Sequence, residues 1–183
     1  HGEMDVEVTT FRKDGAYLDG RRPESVSYSK TLLEDASRRD FTINALAIGR
    51  DGQVIDLVGG VADLKKRLIR CVGEPKERFT EDALRMLRAI RFECQVDGQV
   101  EEHTFDGIKI CAPLISNVSM ERVRDELCKI LTTGRAAEGV RRLEEGGLLQ
   151  FILPEVHACA EFDRHNGSTG KAVFPHTMDV DQT

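Results

Sequence analysis

The hydrophobic pattern of this chain changes period once, at Gly59-Gly60, and this change limits the possible folds more than any other feature. Before it lie short strand-like segments, such as residues 4–11, in which apolar and polar side chains alternate. After it, apolar residues recur three and four positions apart, as they do in amphipathic helices. Strands followed by helices predict an α+β protein with a sheet-containing head and an all-helical neck or body.

Turn residues set the expected bounds of the strands. We predict strands at residues 4–11, 25–28 and 54–58, and an apolar segment at 43–48 that pairs with the last of them across the Asp51-Gly52 turn. The result would be a hairpin just before the change of period.

Capping residues set the bounds of the helices. The predicted helices span residues 62–69, 80–94, 102–110, 120–131 and 136–145. Thr80 and Ser119 are the expected N-caps of two of these helices, and Gly146-Gly147 ends the last. The polar, Gly-rich residues 163–170 are expected to form a loop or linker.

Composition excludes several classes of protein. The net charge of −6 argues against a generally basic nucleic-acid-binding protein. No apolar run approaches the roughly 20 residues of a membrane-spanning helix, and no basic-then-apolar leader opens the chain. The five cysteines are scattered, without the C-x-x-C spacing of zinc or redox sites. We therefore expect a cytoplasmic protein with reduced thiols and no membrane partner.

Charge is distributed unevenly along the chain. Residues 64–92 carry nine Lys or Arg and four Asp or Glu, a local balance of +5, so the rest of the chain carries −11. A basic patch on an acidic protein can steer a phosphate-bearing ligand. A solvated charged surface would give the same count.

The first candidate site is the segment RRDFTIN at residues 38–44. Its two arginines can donate to phosphate oxygens in a planar fork, while Asp40 and Asn44 can reach ribose hydroxyls. The alternative is a salt-bridged surface turn that leads into an apolar segment.

The second candidate site is the segment EDALRMLRAIRF at residues 81–92. In a continuous helix, the stripe opposite the apolar face carries Asp82, Arg85, Arg88 and Arg91. Three arginines with one acid leave surplus donors for a phosphate-rich ligand. Asp82 and Arg85 also suit a base edge, because a carboxylate accepts from the exocyclic amine of C or A and Arg donates to a ring acceptor. The alternative is a solvated helix with an i,i+3 ion pair.

The third candidate is Glu7, an acid in the middle of the predicted strand 4–11, on the same side as Asp5. A strand carboxylate of this kind can be a metal ligand. A solvent-exposed side chain is the alternative.

Seven segments of the chain together resemble one known family. They read EVTTFR (7–12), DGRRPESV (19–26), RRDFTINALA (38–47), IDLVGGVADL (55–64), IRCVGEPKERFTEDALRMLRAIRF (69–92), ERVRDEL (121–127) and ILPEV (152–156). This series, over residues 1–157, is similar to bacterial-type tRNA CCA-adding enzymes and poly(A) polymerases, within the polymerase β-like nucleotidyltransferases. Seven matches in order favour the functional interpretation of both arginine-rich segments. For Glu7 both interpretations stay open.

The resemblance implies a nucleotidyltransferase that works without a nucleic-acid template. Family members add C and A, or A alone, to RNA 3′ ends, so the implied partners are the tRNA 3′ end, ATP and CTP. The implied cofactor is Mg²⁺, and Glu7 corresponds to a third carboxylate beside the metal ions.

The resemblance also implies a set of nucleotide-binding residues. These are Arg39, Asp40, Asn44, Asp82, Arg85, Arg88 and Arg91. Arg39 would contact the triphosphate, Asp82 and Arg85 would read the base, and Asp40 and Asn44 would lie near the ribose. The other two arginines would support the nucleotide.

The chain departs from the family pattern at both ends. A Gly-Gly loop and an Asp-x-Asp strand precede EVTTFR in the family, and neither occurs here, so we expect the true start to lie upstream and residues 1–183 alone to be inactive. His165 and residues 174–177 faintly resemble the start of an HD-type domain. The expected division is a partial head at 1–60, a helical neck and body at 61–157, and a linker or truncated further domain at 158–183.

Two other functions compete with tRNA 3′-end addition. A poly(A) polymerase of the same family would use ATP alone. A non-catalytic RNA-binding remnant would keep the nucleotide-reading neck without the chemistry.

Overall fold

The computed structural model describes residues 12–14, 26–28 and 31–166, with the side chains of residues 31–163. Its architecture mixes helices with short strands, as the sequence predicts. The strands are β1 (Arg12–Asp14), β2 (Val26–Tyr28), β3 (Leu46–Ile48), β4 (Val54–Asp56), β5 (Leu68–Ile69) and β6 (Gln99–Val100). The helices are α1 (Leu32–Ser37), α2 (Gly60–Lys65), α3 (Pro75–Glu81), α4 (Leu84–Gln95), α5 (Glu102–Cys111), α6 (Met120–Leu131), α7 (Ala136–Glu145), α8 (Leu149–Ile152) and α9 (Pro154–Asn166).

The described strands pair in twos. β1–β2 and β3–β4 are antiparallel, and the second pair forms the predicted hairpin, with Gly52 at φ +77° in its turn. β5 and β6 are parallel, with Leu68 opposite Gln99. This last pair corrects the expectation of an all-helical neck. Gly98 permits the close approach of the two strands, because a Cβ there would lie only 2.2 Å from the Arg67 carbonyl oxygen.

Helix α4 lies at the centre of the hydrophobic core. Its Met86, Leu87 and Ile90 are fully buried, and it packs against α6 and α7. Phe41, from the segment before β3, is also fully buried in this core and meets Phe92 of α4 edge to face. Burial of these large side chains attaches the RRDFTIN segment to the helical part.

Several predicted helix bounds are confirmed and others are corrected. The predictions at 120–131 and 136–145 coincide with α6 and α7, and Gly147 at φ +71° follows the end of α7. The helix predicted at 62–69 is α2, which ends at Lys65 because the chain turns into β5. Ser119 is at the N-cap position of α6, but its buried hydroxyl has no hydrogen-bond partner among the residues that the structure describes.

The predicted helix 80–94 is in fact two helices. α3 ends at Glu81, and α4 begins at Leu84 after an extended Asp82 at φ −148° and ψ 103°. Thr80 is therefore not an N-cap, and its hydroxyl donates to the Lys76 carbonyl one turn back.

Two further predictions concern the ends of the chain. The strand at 4–11 lies outside the described residues. The loop expected at 163–170 is wrong for 163–166, because α9 continues to Asn166 and crosses the boundary expected at 157/158.

Candidate nucleotide-binding site

An open cavity of about 570 Å³ lies between the RRDFTIN segment, the start of α4 and the start of α6. Its walls are formed by Arg39, Asp40, Asn44, Asp82, Leu84, Arg85, Arg88, Phe92 and Arg122. Six of the seven nucleotide-binding residues expected from the sequence therefore line one cavity.

The break between α3 and α4 places Asp82 in the cavity wall. Its Oδ1 accepts a hydrogen bond from the Leu84 backbone N–H at 3.1 Å, at the first residue of α4. Its Oδ2 accepts from Nη2 of Arg122, on α6, at 2.9 Å. The carboxylate is thus held at two points, and each oxygen keeps a lone pair for a further donor.

Arg85 is held mainly by carbonyl groups. Its Nη1 donates to the Arg78 carbonyl at 3.2 Å and to Glu81 Oε2 at 2.8 Å, and its Nη2 donates to the Arg38 carbonyl at 3.2 Å. Nε and one N–H of Nη2 make no bond with any described residue. Arg85 therefore reaches the cavity with its guanidinium fixed and donors to spare.

Arg88 and Asp40 form an ion pair across the cavity wall. Nε of Arg88 donates to Asp40 Oδ2 at 2.8 Å, and its Nη2 contacts the same oxygen. The other oxygen of Asp40 accepts from the Phe41 backbone N–H at 2.8 Å and from the Asn44 amide at 3.1 Å. Asp40 is buried, so it acts here as the residue that orients Arg88 and Asn44.

Arg39 is the most exposed of the cavity arginines, with 46% of its side chain accessible. It donates to Asp35 Oδ2 from Nε and Nη2, and to the Asn44 carbonyl from Nη1. Burial alone would raise the pKa of Asp35, but hydrogen bonds from Arg38 and Arg39 outweigh burial and hold that pKa below its usual value. Asp35 is thus a fixed anion beneath both arginines.

Arg91 does not line the cavity, and the expectation that its donors are surplus is corrected. Its side chain is only 10% exposed, and Nη1 donates to both oxygens of the buried Glu126 at 2.9 and 2.7 Å. The reason is the position of α6, which covers this side of α4 and supplies the carboxylate. Arg91 joins the two helices and leaves the cavity to Arg85 and Arg88.

Three cavity residues were not singled out from the sequence: Leu84, Phe92 and Arg122. Leu84 and Phe92 supply its apolar wall. Arg122 lies in the ERVRDEL segment, which carried the family resemblance without an assigned role. Its position in a matched motif was the available signal.

The charges of the cavity favour an anionic ligand. Among the described residues, its lining holds four arginines against two aspartates. Arginine forks bind phosphate oxygens, while a carboxylate beside a guanidinium can pair with a base edge. The cavity can therefore accept both ends of a nucleotide.

The part of the chain that the structure describes contains no group of three His, Cys, Asp or Glu side chains able to hold a metal ion. Glu7, the expected ligand, lies outside it. Burial raises the pKa of Cys71 to about 12 and that of Cys94 to about 11, so neither thiol is ionised at neutral pH.

None of the described helices combines the length and the apolar character needed to cross a membrane.

Two protein families match parts of the chain. The family described as "Poly A polymerase head domain" matches residues 1–70. The family described as "Probable RNA and SrmB- binding site of polymerase A" matches residues 99–159.

Curated relatives match most of the chain. The CCA-adding enzyme of Limosilactobacillus reuteri is 49% identical over 145 residues, which are 79% of this chain and 36% of the relative. That of Streptococcus sanguinis is 46% identical over 160 residues, 87% of this chain and 40% of the relative. The chain thus spans between a third and two fifths of the length of these relatives.

Solved structures of CCA-adding enzymes are similar in fold to this chain, and they complete the case for its family. The Bacillus stearothermophilus enzyme in complex with CTP has a TM-score of 0.75 and 37% identity, covering 84% of this chain and 37% of that one. The Thermotoga maritima enzyme complexed with tRNA has a TM-score of 0.64 and 33% identity, covering 74% of this chain and 36% of that one. The chain therefore belongs to the family of bacterial-type tRNA nucleotidyltransferases, or CCA-adding enzymes, and poly(A) polymerases.

Proposed function

We propose that the full-length protein adds C and A to the 3′ end of tRNA, without a nucleic-acid template and with CTP and ATP as substrates. The observation that carries this proposal is the cavity in which Asp82 and Arg85 stand beside Arg39 and Arg88. Asp82 and Arg85 suit a base edge, and Arg39 and Arg88 suit phosphate. The names of the similar enzymes supply the identity of the acceptor RNA.

Asp82 and Arg85 are proposed to select the base. Each oxygen of Asp82 can accept one more hydrogen bond, and the exocyclic amine of C or A is such a donor. Arg85 has free donors at Nε and Nη2 for the adjacent ring acceptor. In the same orientation, UTP presents a carbonyl to Asp82 and a ring N–H to Arg85, so neither residue is paired. GTP presents an amine to Asp82 but a ring N–H to Arg85, so Arg85 is left unpaired.

Arg39 and Arg88 are proposed to hold the triphosphate, with Asp40 and Asn44 on the ribose side. Arg88 uses Nε and Nη2 for Asp40, which leaves both N–H groups of Nη1 for phosphate oxygens. Arg91 is proposed to act indirectly, because its bonds to Glu126 fix α4 against α6.

We further propose the domain organisation, the cellular location and the cofactor of the full-length protein. Residues 1–60 would belong to a catalytic head, residues 61–157 to a nucleotide-reading and RNA-binding neck, and residues 158–183 to a linker or a further domain. The full-length protein would act in the cytoplasm and use Mg²⁺, with Glu7 as one carboxylate near the metal.

The direct test is incorporation of labelled CMP and AMP into tRNA that lacks its terminal CCA. We expect the full-length protein to add C, C and A in order when CTP, ATP and Mg²⁺ are supplied. Incorporation of AMP alone into many RNAs would favour a poly(A) polymerase. Binding of RNA without incorporation would favour a non-catalytic module.

A pair of variants tests the assignment of the cavity. Asp82→Ala should reduce discrimination against UTP and GTP by about 1–3 kcal/mol, the worth of one good bidentate base contact. Arg39→Ala should weaken CTP and ATP alike, because a phosphate contact carries no base information. Nucleotide competition assays on the full-length protein measure both. An unchanged preference in Asp82→Ala would contradict the base-reading role.

A further inference from the structure

We infer that Arg122 is a specificity-determining residue that acts by positioning the Asp82 carboxylate. The inference rests on the proposed function, since it needs Asp82 to read the base. Its own basis is the contact between Arg122 Nη2 and Asp82 Oδ2, at 2.9 Å, in the wall of the cavity.

Asp82 needs external support because it lies between two helices. Its backbone is extended, and its neighbour Ala83 is the N-cap position of α4. One carboxylate oxygen is fixed by the Leu84 N–H, but a single contact leaves the carboxylate free to rotate about its Cβ–Cγ bond. The bond from Arg122 fixes the second oxygen, and with it the plane of the carboxylate.

Arg122 is well placed for this role because α6 is itself fixed to α4. Glu126, one turn along α6, accepts both bonds from the buried Arg91. Arg122 and Glu126 are four residues apart and therefore lie on the same face of α6. Helix α6 is thus held at two points, by Asp82 in the break before α4 and by Arg91 of α4 in the core.

The accessibility of the pair separates a positioning role from a structural one. The side chains of Arg122 and Asp82 are 35% and 24% exposed, so their ion pair contributes little to stability. The Arg91–Glu126 pair is 10% and 6% exposed and carries the structural contact. Loss of Arg122 should therefore change base selection more than it changes folding.

The experiment is a double-mutant cycle on the full-length protein, with Arg124→Ala as the matched control. Arg124 lies on the same helix, is 69% exposed and pairs with its neighbour Asp125 outside the cavity. For each variant, kcat and KM are measured with CTP, ATP, UTP and GTP, together with the nucleotide dissociation constants and the melting temperature.

Arg122→Ala should lower the preference for CTP and ATP over UTP and GTP by about 5- to 100-fold, approaching the loss in Asp82→Ala. Arg122→Ala added to Asp82→Ala should cause no further loss, because both act through one carboxylate. Arg122→Lys should recover part of the preference, and Arg124→Ala should behave as the parent protein. The melting temperature of Arg122→Ala should change by less than about 4 °C.

Three results would overturn the inference. The first is an Arg122→Ala variant with unchanged preference while Asp82→Ala has lost it. The second is an equal loss of affinity for all four nucleotides that persists on the Asp82→Ala background, which would mean a phosphate contact. The third is a large fall in melting temperature with preference intact, which would mean a structural role. If Asp82→Ala itself keeps its preference for CTP and ATP, the result contradicts the proposed base-reading function, on which the inference about Arg122 rests.

Discussion

The helical part from α3 onward and the segment at residues 31–60 are stabilised in different ways. In the helical part, Phe79, Met86 and Ile90 are fully buried. In the β3–β4 hairpin, by contrast, Ile48 is 76% exposed and Val54 is 56% exposed. The first region buries its own hydrophobic core, whereas the second contributes little apolar burial of its own.

The two regions meet at the cavity, mainly through arginines of α4. Arg85 donates to the Arg38 carbonyl, and Arg88 pairs with Asp40. Phe41 supplies the buried apolar contact between these two polar ones. The cavity therefore lies on a well-buried helical part, to which the RRDFTIN segment is attached by a few identifiable contacts.

The largest loss of stability is expected in the helical part from α3 onward. Glu126→Ala leaves the buried Arg91 guanidinium without its carboxylate, and removing one partner of a buried ion pair costs about 3–5 kcal/mol. Urea denaturation measures the free energy of unfolding. A loss below about 1 kcal/mol would show that solvent reaches Arg91 readily and that the helical part is less rigid than its burial indicates.

A pair of isoleucines compares the two regions directly. Ile90→Ala in α4 should lose about 2–5 kcal/mol, because a fully buried side chain is replaced by a cavity. Ile48→Ala on the exposed hairpin should stay within about 0.5 kcal/mol. Equal losses in urea denaturation would mean that the hairpin is covered in solution, and the contrast between the regions would fail.

A glycine tests how closely the backbone packs inside the second region, residues 31–60. A Cβ at Gly60, the first residue of α2, would lie 2.1 Å from the Thr42 carbonyl oxygen. Gly60→Ala should therefore cost about 1–3 kcal/mol by forcing the backbones apart. Gly134→Ala is the control, since nothing lies within 4 Å of its Cβ position. Thermal unfolding that is equal in the two variants would argue against the close approach.

The smallest effect concerns pH. Asp35 has a lowered pKa in the folded protein, so its contribution to stability is present above the unfolded value of about 3.9 and is lost as pH falls through the folded value. Asp35→Asn should be less stable at pH 7 by about 1 kcal/mol or less. The difference should shrink below about pH 4. A difference that is constant from pH 7 to pH 3 would exclude an electrostatic origin.

Local patterns predicted the elements that depend on local interactions. α6 and α7 matched their predicted bounds because apolar spacing indicates both helices and the Gly146-Gly147 stop ends α7. The break at Asp82 was missed because Asp, Ala and Leu continue the helical period without interruption. Arg78 and Arg85, on either side of the break, donate to the carbonyls of Ser37 and Arg38, and such tertiary contacts do not show in the helical period.

In the candidate site, too, local sequence patterns predicted what depends on local interactions. Arg85 and Arg88 were found because they share a stripe on one helix, and the segment with Arg39, Asp40 and Asn44 was found because the family resemblance joined it to that stripe. Arg91 was expected at the cavity and lies outside it, and Arg122 was not expected there and lines it, for one shared reason. Both depend on the position of α6, which sequence spacing alone does not give.

The spacing of the α4 arginines has a consequence for changes in chain length. Arg85, Arg88 and Arg91 follow one another at three-residue steps, the first two toward the cavity and the third toward Glu126. One inserted residue turns everything beyond it by about 100° and moves it by about 1.5 Å along the axis. An insertion between Arg85 and Arg88 would therefore remove a cavity contact and the helix-joining ion pair together. Deletions and insertions in this stretch should be tolerated far less than substitutions on its solvent-facing side.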